Sequence, residues 1–91
     1  MTFNSFLSHQ LDKFKISYRK LEEDTGISRG NISRYIQGKK NPNMKTVVRF
    51  AKYFGELNAE EQGLTEGNKD LLIASYILEI VKMVGGQDVG K

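Results

Sequence analysis

Residues 17–54 read SYRKLEEDTGISRGNISRYIQGKKNPNMKTVVRFAKYF, a stretch in which capping side chains, glycines and apolar steps alternate at helical intervals. Ser17 can accept a backbone N–H and so open a short helix, predicted over 18–24, with Leu21 as its main core contact. Gly26 follows where the chain must reverse, a position that favours positive φ, which makes residues 25–27 a tight turn. Ser28 caps a third helix, predicted over 28–37, on which Ile32 and Ile36 lie one turn apart with Tyr35 beside them as the inward face. At about 100° per residue, Gly30, Arg34 and Gln37 fall on the opposite side, flanked by Asn31 and Ser33, while Arg29 projects from the first turn. Gly38 closes this helix, and Lys39, Lys40, Asn41 and Pro42 form a basic loop that no helix can cross. Asn43 then caps a fourth helix whose apolar stripe, Met44, Val47, Val48, Ala51 and Phe54, stops at Gly55.

Upstream, Phe3, Leu7, Leu11 and Phe14 step by three and four residues and predict a first helix over 4–14, with His9 off the stripe and exposed. Downstream, 56–67 is an acidic spacer with two glycines, holding at most one helical turn after Asn58, where Glu61 could complete a capping box. The last helix, predicted over 69–84, is apolar almost all round, leaving Ser75, Glu79 and Lys82 as a narrow polar stripe. It therefore needs burial on more than one side. Gly85 and Gly86 are expected to end it, with 87–91 a frayed tail. Tyr35, Phe50, Tyr53 and Phe54 have the spacing of core residues. With strand signals nearly absent, the chain reads as all-α.

Composition narrows the function. The 91 residues make one domain near the lower size limit for independent folding, burying roughly 60–70% of the unfolded surface at best, so a large catalytic cleft is not expected. There is no cysteine and one histidine, which removes disulfides, thiolate chemistry and most metal-ligand sets. Glu60, Glu61 and Glu66 have neither a partnered histidine nor metal-ligand spacing, so no catalytic residue, metal or cofactor is expected. The apolar run 71–84 is broken by charges and is shorter than the roughly 20 residues of a membrane span. MTFNSFLSHQ lacks the basic, apolar and small-residue regions of a secretory signal, and a cytoplasmic protein is expected. The net charge of +3 is polarised: residues 13–52 carry eleven bases against three acids, net +8, whereas 53–91 are net −4. A basic block of that density suits phosphate neutralisation with counterion release, or on the blander reading merely solvates a helical surface.

The marks in 17–54 resemble the helix-turn-helix of the phage-repressor and Cro (XRE) family: Leu21, Gly26, Ile27, Ser28, Ile32, the Gly38-Lys39 exit, Pro42 and the helix over 46–54. The resemblance implies a five-helix, λ-repressor-like fold, with residues 1–67 as the DNA-binding domain and 68–91 as a dimerisation helix and short tail. It implies that the third helix enters the major groove of double-stranded DNA while the second crosses the backbone. Carried over position by position, Ser28, Arg29, Gly30, Asn31, Ser33 and Arg34 become base contacts, Arg29 and Arg34 foremost. Tyr18, Gln37, Lys39, Lys40 and Asn43 become phosphate contacts. The chain departs from the pattern in three places. Glu22 replaces the usual alanine, so either the helix pair is splayed or the carboxylate reaches sideways to Arg29 or Arg34. Gly30 lies on the DNA-facing surface, and the first connection lacks the usual glycine, Phe14 and Lys15 filling that space.

For the last helix, one reading packs it wholly on the monomer. The other pairs it with a second copy through Leu72, Ile73, Tyr76, Ile77, Ile80, Val81 and Val84, giving a two-fold dimer for an inverted-repeat operator. The functional expectation is a non-enzymatic, sequence-specific transcriptional regulator, a homodimeric repressor of phage, plasmid or mobile-element type. An antirepressor or toxin could act as protein partner. The alternative is an antitoxin or other interaction module whose last helix binds a different protein.

Overall fold

Each helix begins at a hydroxyl or amide side chain that accepts the backbone N–H three residues on. Thr2 accepts from Ser5 (3.3 Å), Ser17 from Lys20 (3.0 Å), Ser28 from Asn31 (3.2 Å), Asn43 from Thr46 (2.9 Å) and Thr65 from Asn68 (3.4 Å). Each cap satisfies a donor that the helix itself leaves unpaired and contributes about 1 kcal/mol. In the computed structural model, which describes residues 1–88 and side chains through Gly85, the elements are α1 (Phe3–Phe14), α2 (Tyr18–Thr25), α3 (Arg29–Ile36), α4 (Met44–Gln62) and α5 (Glu66–Asp88). No strand occurs among the described residues, so the expected all-α, five-helix architecture is the one found.

The connections follow from backbone preference. Gly26 (φ 78°) and Gly38 (φ 73°) supply the left-handed turns that end α2 and carry the chain out of α3. In the first connection the same conformation falls on Lys15 (φ 54°), the one described non-glycine residue with positive φ. The departure noted in the sequence is thus met by a strained lysine, at a cost of about 1–2 kcal/mol.

The core is built on aromatics. Phe50 and Phe54 of α4 stack at 6.1 Å, while Tyr35 of α3 meets Phe50 edge-on at 5.9 Å and Phe6 of α1 meets Phe54 edge-on at 6.2 Å. Such pairs add about 0.5–1.5 kcal/mol each beyond the area they bury. Leu7, Leu11, Leu21, Ile27, Ile32, Val47 and Ile80 complete the interior. Ile80 brings α5 into the same core, and Tyr76 meets Phe6 edge-on at 5.9 Å.

Several expectations change. Phe14 is half-buried, and Phe6 rather than Phe14 completes the inward stripe of α1. On α4, Met44 and Val48 face outward (56% and 40% exposed), because the buried stripe runs through Val47, Phe50, Ala51 and Phe54. The fourth helix does not stop at Gly55. A Cβ there would lie 2.7 Å from Ile73 Cγ1 and 3.2 Å from Ile73 Cα, so this glycine permits close approach of α5 rather than ending α4. Asn58 is not a cap but a buried helical residue, 2% exposed. Its Nδ2 donates to Gln10 Oε1 (2.9 Å) and to the Phe54 carbonyl (2.7 Å), and its Oδ1 accepts from Lys13 Nζ (2.7 Å). Lys13 also pairs with Glu61 at 3.0 Å, clamping the extra turns of α4 to α1. Helix α4 ends instead at Gly63 (φ 68°). Helix α5 starts three residues earlier than expected, at the Thr65 cap, and runs through Gly85 and Gly86. A glycine costs a helix about 1 kcal/mol but ends it only where the chain turns to positive φ, which Gly85 does not. The rest of the expected tail, 89–91, lies outside the described residues.

Candidate nucleic-acid interface

Helix α3 is held by its inward face. Ile32 is fully buried and Tyr35 nearly so, while Ile36 packs on the core edge. That anchoring leaves Arg29, Gly30 and Arg34 exposed on the outer side, with Ser28 exposed at the cap and Asn31 and Ser33 half-buried on the flanks. All six residues expected to meet bases therefore lie on one short, rigid element or its cap. A Cβ built on Gly30 has nothing within 4 Å, so the glycine marks open surface at the centre of this face.

The two arginines differ in setting. Arg29 Nε lies 2.9 Å from Glu22 Oε1, and Glu22 Oε2 accepts the Arg29 backbone N–H at 3.3 Å. One carboxylate of α2 thus both fixes the arginine side chain and satisfies a free donor in the first turn of α3, where the helix dipole favours negative charge. The sideways reach of Glu22 is the reading that holds. Arg34 has no carboxylate partner in the ion pairs of the described residues and projects from the last turn of α3.

The residues expected at phosphates flank this face. Tyr18 is the first residue of α2 and 39% exposed, in a groove it shares with Ser8, His9, Lys15 and Ser17. Gln37 caps the C-terminal end of α3 and donates through Nε2 to Ser33 Oγ at 3.1 Å. Lys39 is exposed in the exit loop, and Lys40 reaches back so that its Nζ donates to Asn31 Oδ1 at 3.0 Å. Asn43 spends its Oδ1 on the α4 cap, which leaves its amide N–H groups as donors. Pro42 is buried and fixes this loop against the domain. The turn between α2 and α3 is braced from behind: Arg49 Nη1 donates to the Thr25 carbonyl at 3.5 Å, and the Tyr53 hydroxyl donates to Asp24 Oδ2 at 2.6 Å. That bond holds the Asp24 carboxyl below its ordinary value, helped by Lys20 and opposed by desolvation. Burial, and then the same bond, push the Tyr53 phenol up. Sequence reading placed Tyr53 in the core and did not find this brace; no local spacing links residues 24 and 53.

An N-capped pair of short helices at a glycine turn, with a basic outer face on the second, is the geometry of a helix-turn-helix. The helix-turn-helix family matches residues 9–65, more than half of the chain. The chain belongs to this family, in its XRE type. No match was found among curated proteins or among solved structures. As a helix-turn-helix protein it binds DNA in transcriptional regulation. Among the described residues no group of His, Cys, Asp or Glu could hold a metal ion, and no helix is long and apolar enough to cross a membrane.

The residues expected to pair two copies are distributed differently from the DNA-facing set. Ile80 is fully buried in the monomer, Ile73 lies against Gly55 and Tyr76 against Phe6, and Ile77 and Val84 pack on the same core. Leu72 is half-buried, and Val81 alone of the seven is exposed. The outward apolar residues of α5 are Leu71, Ala74, Leu78 and Val81.

Proposed function

We propose that the protein is a sequence-specific regulator that reads double-stranded DNA through α3 and acts as a homodimeric repressor of phage, plasmid or mobile-element type. The observation that carries the reading is the outer face of α3, where Arg29, Gly30 and Arg34 stand together while Ile32 and Tyr35 lock the helix to the core. A rigid helix can present arginine forks to guanine O6 and N7, and an open glycine lets the backbone approach the groove. Tyr18 on one side and Gln37, Lys39, Lys40 and Asn43 on the other supply donors for the phosphates that fix register without reading sequence. Two copies would read an inverted repeat with half-sites about one helical turn apart, and occupancy would exclude polymerase from the promoter.

The test is selection of random duplex DNA by the purified protein at near-physiological salt, followed by sequencing. An enriched inverted repeat supports the dimeric reader, and a single half-site supports a monomeric one. No enrichment overturns the sequence-specific reading. The second reading, an antitoxin or interaction module, is favoured by the apolar outer face of α5. Salt separates the two: roughly six phosphate contacts give a log–log slope of affinity near −5, and an interface without phosphates gives almost none.

A further inference from the structure

Every side-chain acceptor at the start of α3 is already engaged within the chain. Glu22 Oε1 lies 2.9 Å from Arg29 Nε, and Glu22 Oε2 accepts the Arg29 backbone N–H at 3.3 Å. Ser28 Oγ accepts the Asn31 backbone N–H at 3.2 Å, and Asn31 Oδ1 accepts from Lys40 Nζ at 3.0 Å. What this turn offers a ligand in excess is donors: the terminal Nη1 and Nη2 groups of Arg29, the Ser28 hydroxyl hydrogen and the Asn31 amide hydrogens. In the major groove guanine shows two acceptors, O6 and N7, whereas cytosine shows an amino donor and adenine an acceptor beside an amino donor. A turn so weighted toward donors suits guanine and leaves the amino group of cytosine or adenine unanswered.

Glu22 governs how Arg29 meets that base. A free arginine samples many rotamers, and beside DNA the phosphates compete for its charge. Here the carboxylate holds the side edge of the guanidinium through Nε, so the end edge, Nη1 with Nη2, is the fork that remains for a twofold donation to one guanine. The same carboxylate balances the charge of Arg29 and weakens the pull of phosphates on it. In the free chain the pair is open to water, with side chains 61% and 35% exposed, and adds little to stability. A duplex closing over it excludes water and strengthens it where the base is read. A carboxylate on a face that meets a polyanion lowers affinity for DNA of any sequence, so its benefit must lie in the choice of base.

We propose that Glu22 is a specificity-determining positioning residue that acts through Arg29, holding the guanidinium so that its end edge reads a single guanine of the half-site. The proposal rests on the reading of α3 as the recognition helix and names the base that its first turn selects.

The test compares full-length Glu22→Gln, Arg29→Ala and the double variant. Each is titrated against the preferred duplex, its single-base-pair variants and a scrambled duplex. Glutamine keeps one acceptor for the Arg29 backbone N–H and loses the charge, so helicity and thermal midpoint stay close to wild type. Glu22→Gln is expected to lose about 5-fold of preference at one guanine, because the released arginine must be ordered on binding. Its affinity for the scrambled duplex rises about 3-fold at low salt, as a negative charge leaves the face. Arg29→Ala loses preference at that same base pair, and Glu22→Gln adds no further loss in its background. A merely structural role would weaken all duplexes together or persist without Arg29, and either result overturns the proposal. So does an unchanged preference in Glu22→Gln, a gain in preference, or an Arg29-dependent position that is not a guanine. A wild-type preference that Arg29→Ala leaves intact overturns the proposal and keeps α3 as the reader through its other residues. A wild-type chain that prefers no duplex overturns the recognition reading itself, and the proposal with it.

Discussion

Arg34 and Lys39 are neighbours at the exit of α3, yet in the proposed function they would serve different physical ends. A planar fork on the outer face of a rigid helix can discriminate a base, whereas a flexible ammonium in the following loop neutralises a phosphate. Arg34→Ala is expected to cost about 1–3 kcal/mol on the preferred duplex and relax preference at one base pair. Lys39→Ala should weaken all duplexes alike and reduce the salt slope by about 1. Titrations on preferred and scrambled DNA at several salt concentrations check both, and an Arg34→Ala variant with unchanged preference would refute the recognition face. Gly30 separates stability from function. Alanine there removes about 1 kcal/mol of helix cost and has space to fit, but sets a methyl group where the groove should approach. The expected outcome is a higher denaturation midpoint with weaker DNA binding, and tighter binding would remove Gly30 from the interface. The Asp24–Tyr53 brace carries a pH signature. The Asp24 carboxyl titrates below its ordinary 3.8 when folded, so its contribution is present above that value and is lost as pH falls through the lowered one. The Tyr53 phenol titrates above its ordinary 10.0, so its contribution is present below that value and is lost as pH rises beyond it. Tyr53→Phe should flatten both limbs of the stability profile measured by thermal unfolding across pH; an unchanged profile would show that the bond is not formed in solution.

Among the helices, α4 and α5 show how one glycine can mean opposite things. In sequence Gly55 follows an apolar stripe and looks like a stop, but the α4 backbone passes it in helical conformation with Ile73 resting on the vacant Cβ position. Gly55→Ala is therefore expected to destabilise by about 1–3 kcal/mol through overpacking, despite the better helix propensity of alanine. Urea unfolding checks this, and a gain in stability would mean that the two helices part at little cost. Gly26 and Gly38, by contrast, adopt the positive φ their positions imply, because tight turns are decided within a few residues. The missing glycine of the first connection is a third case, in which Lys15 takes the left-handed conformation itself. The family resemblance marked the absent glycine there and named Phe14 and Lys15 as filling its place, and the structure puts the left-handed conformation on Lys15.

At the scale of the whole molecule, the question is whether α5 is an appendage or part of the fold. Ile80 has no exposed surface and joins a core shared with Leu7, Phe50 and Phe54. Ile80→Ala should therefore lower the stability of the entire domain by about 2–5 kcal/mol, with tyrosine and helix signals unfolding together. If the helix signal lost only a fraction at low denaturant while the tyrosine transition kept its midpoint, α5 would be an independent element. A shared core also means that the inner side of α5 is committed within the monomer, so any partner must use the outer side.

The sequence alone determined what is decided within a turn or two of helix. Ser17, Ser28 and Asn43 as caps, the Gly26 turn, the outward basic face of α3 with Arg29 and Arg34, and the all-α class could be read because capping, φ preference and helical periodicity act over three or four residues. Tertiary structure decided everything that depends on a distant neighbour. Whether Gly55 stops a helix, whether Asn58 caps or is buried, and which side of α5 faces water were each set by residues far along the chain, and which way Glu22 reaches was set across the turn by Arg29 of the next helix. A helix apolar almost all round presents no preferred side until the core takes one. Here the Phe6, Phe54 and Gly55 surface takes Ile73, Tyr76 and Ile80, and Leu71, Ala74, Leu78 and Val81 are left outside.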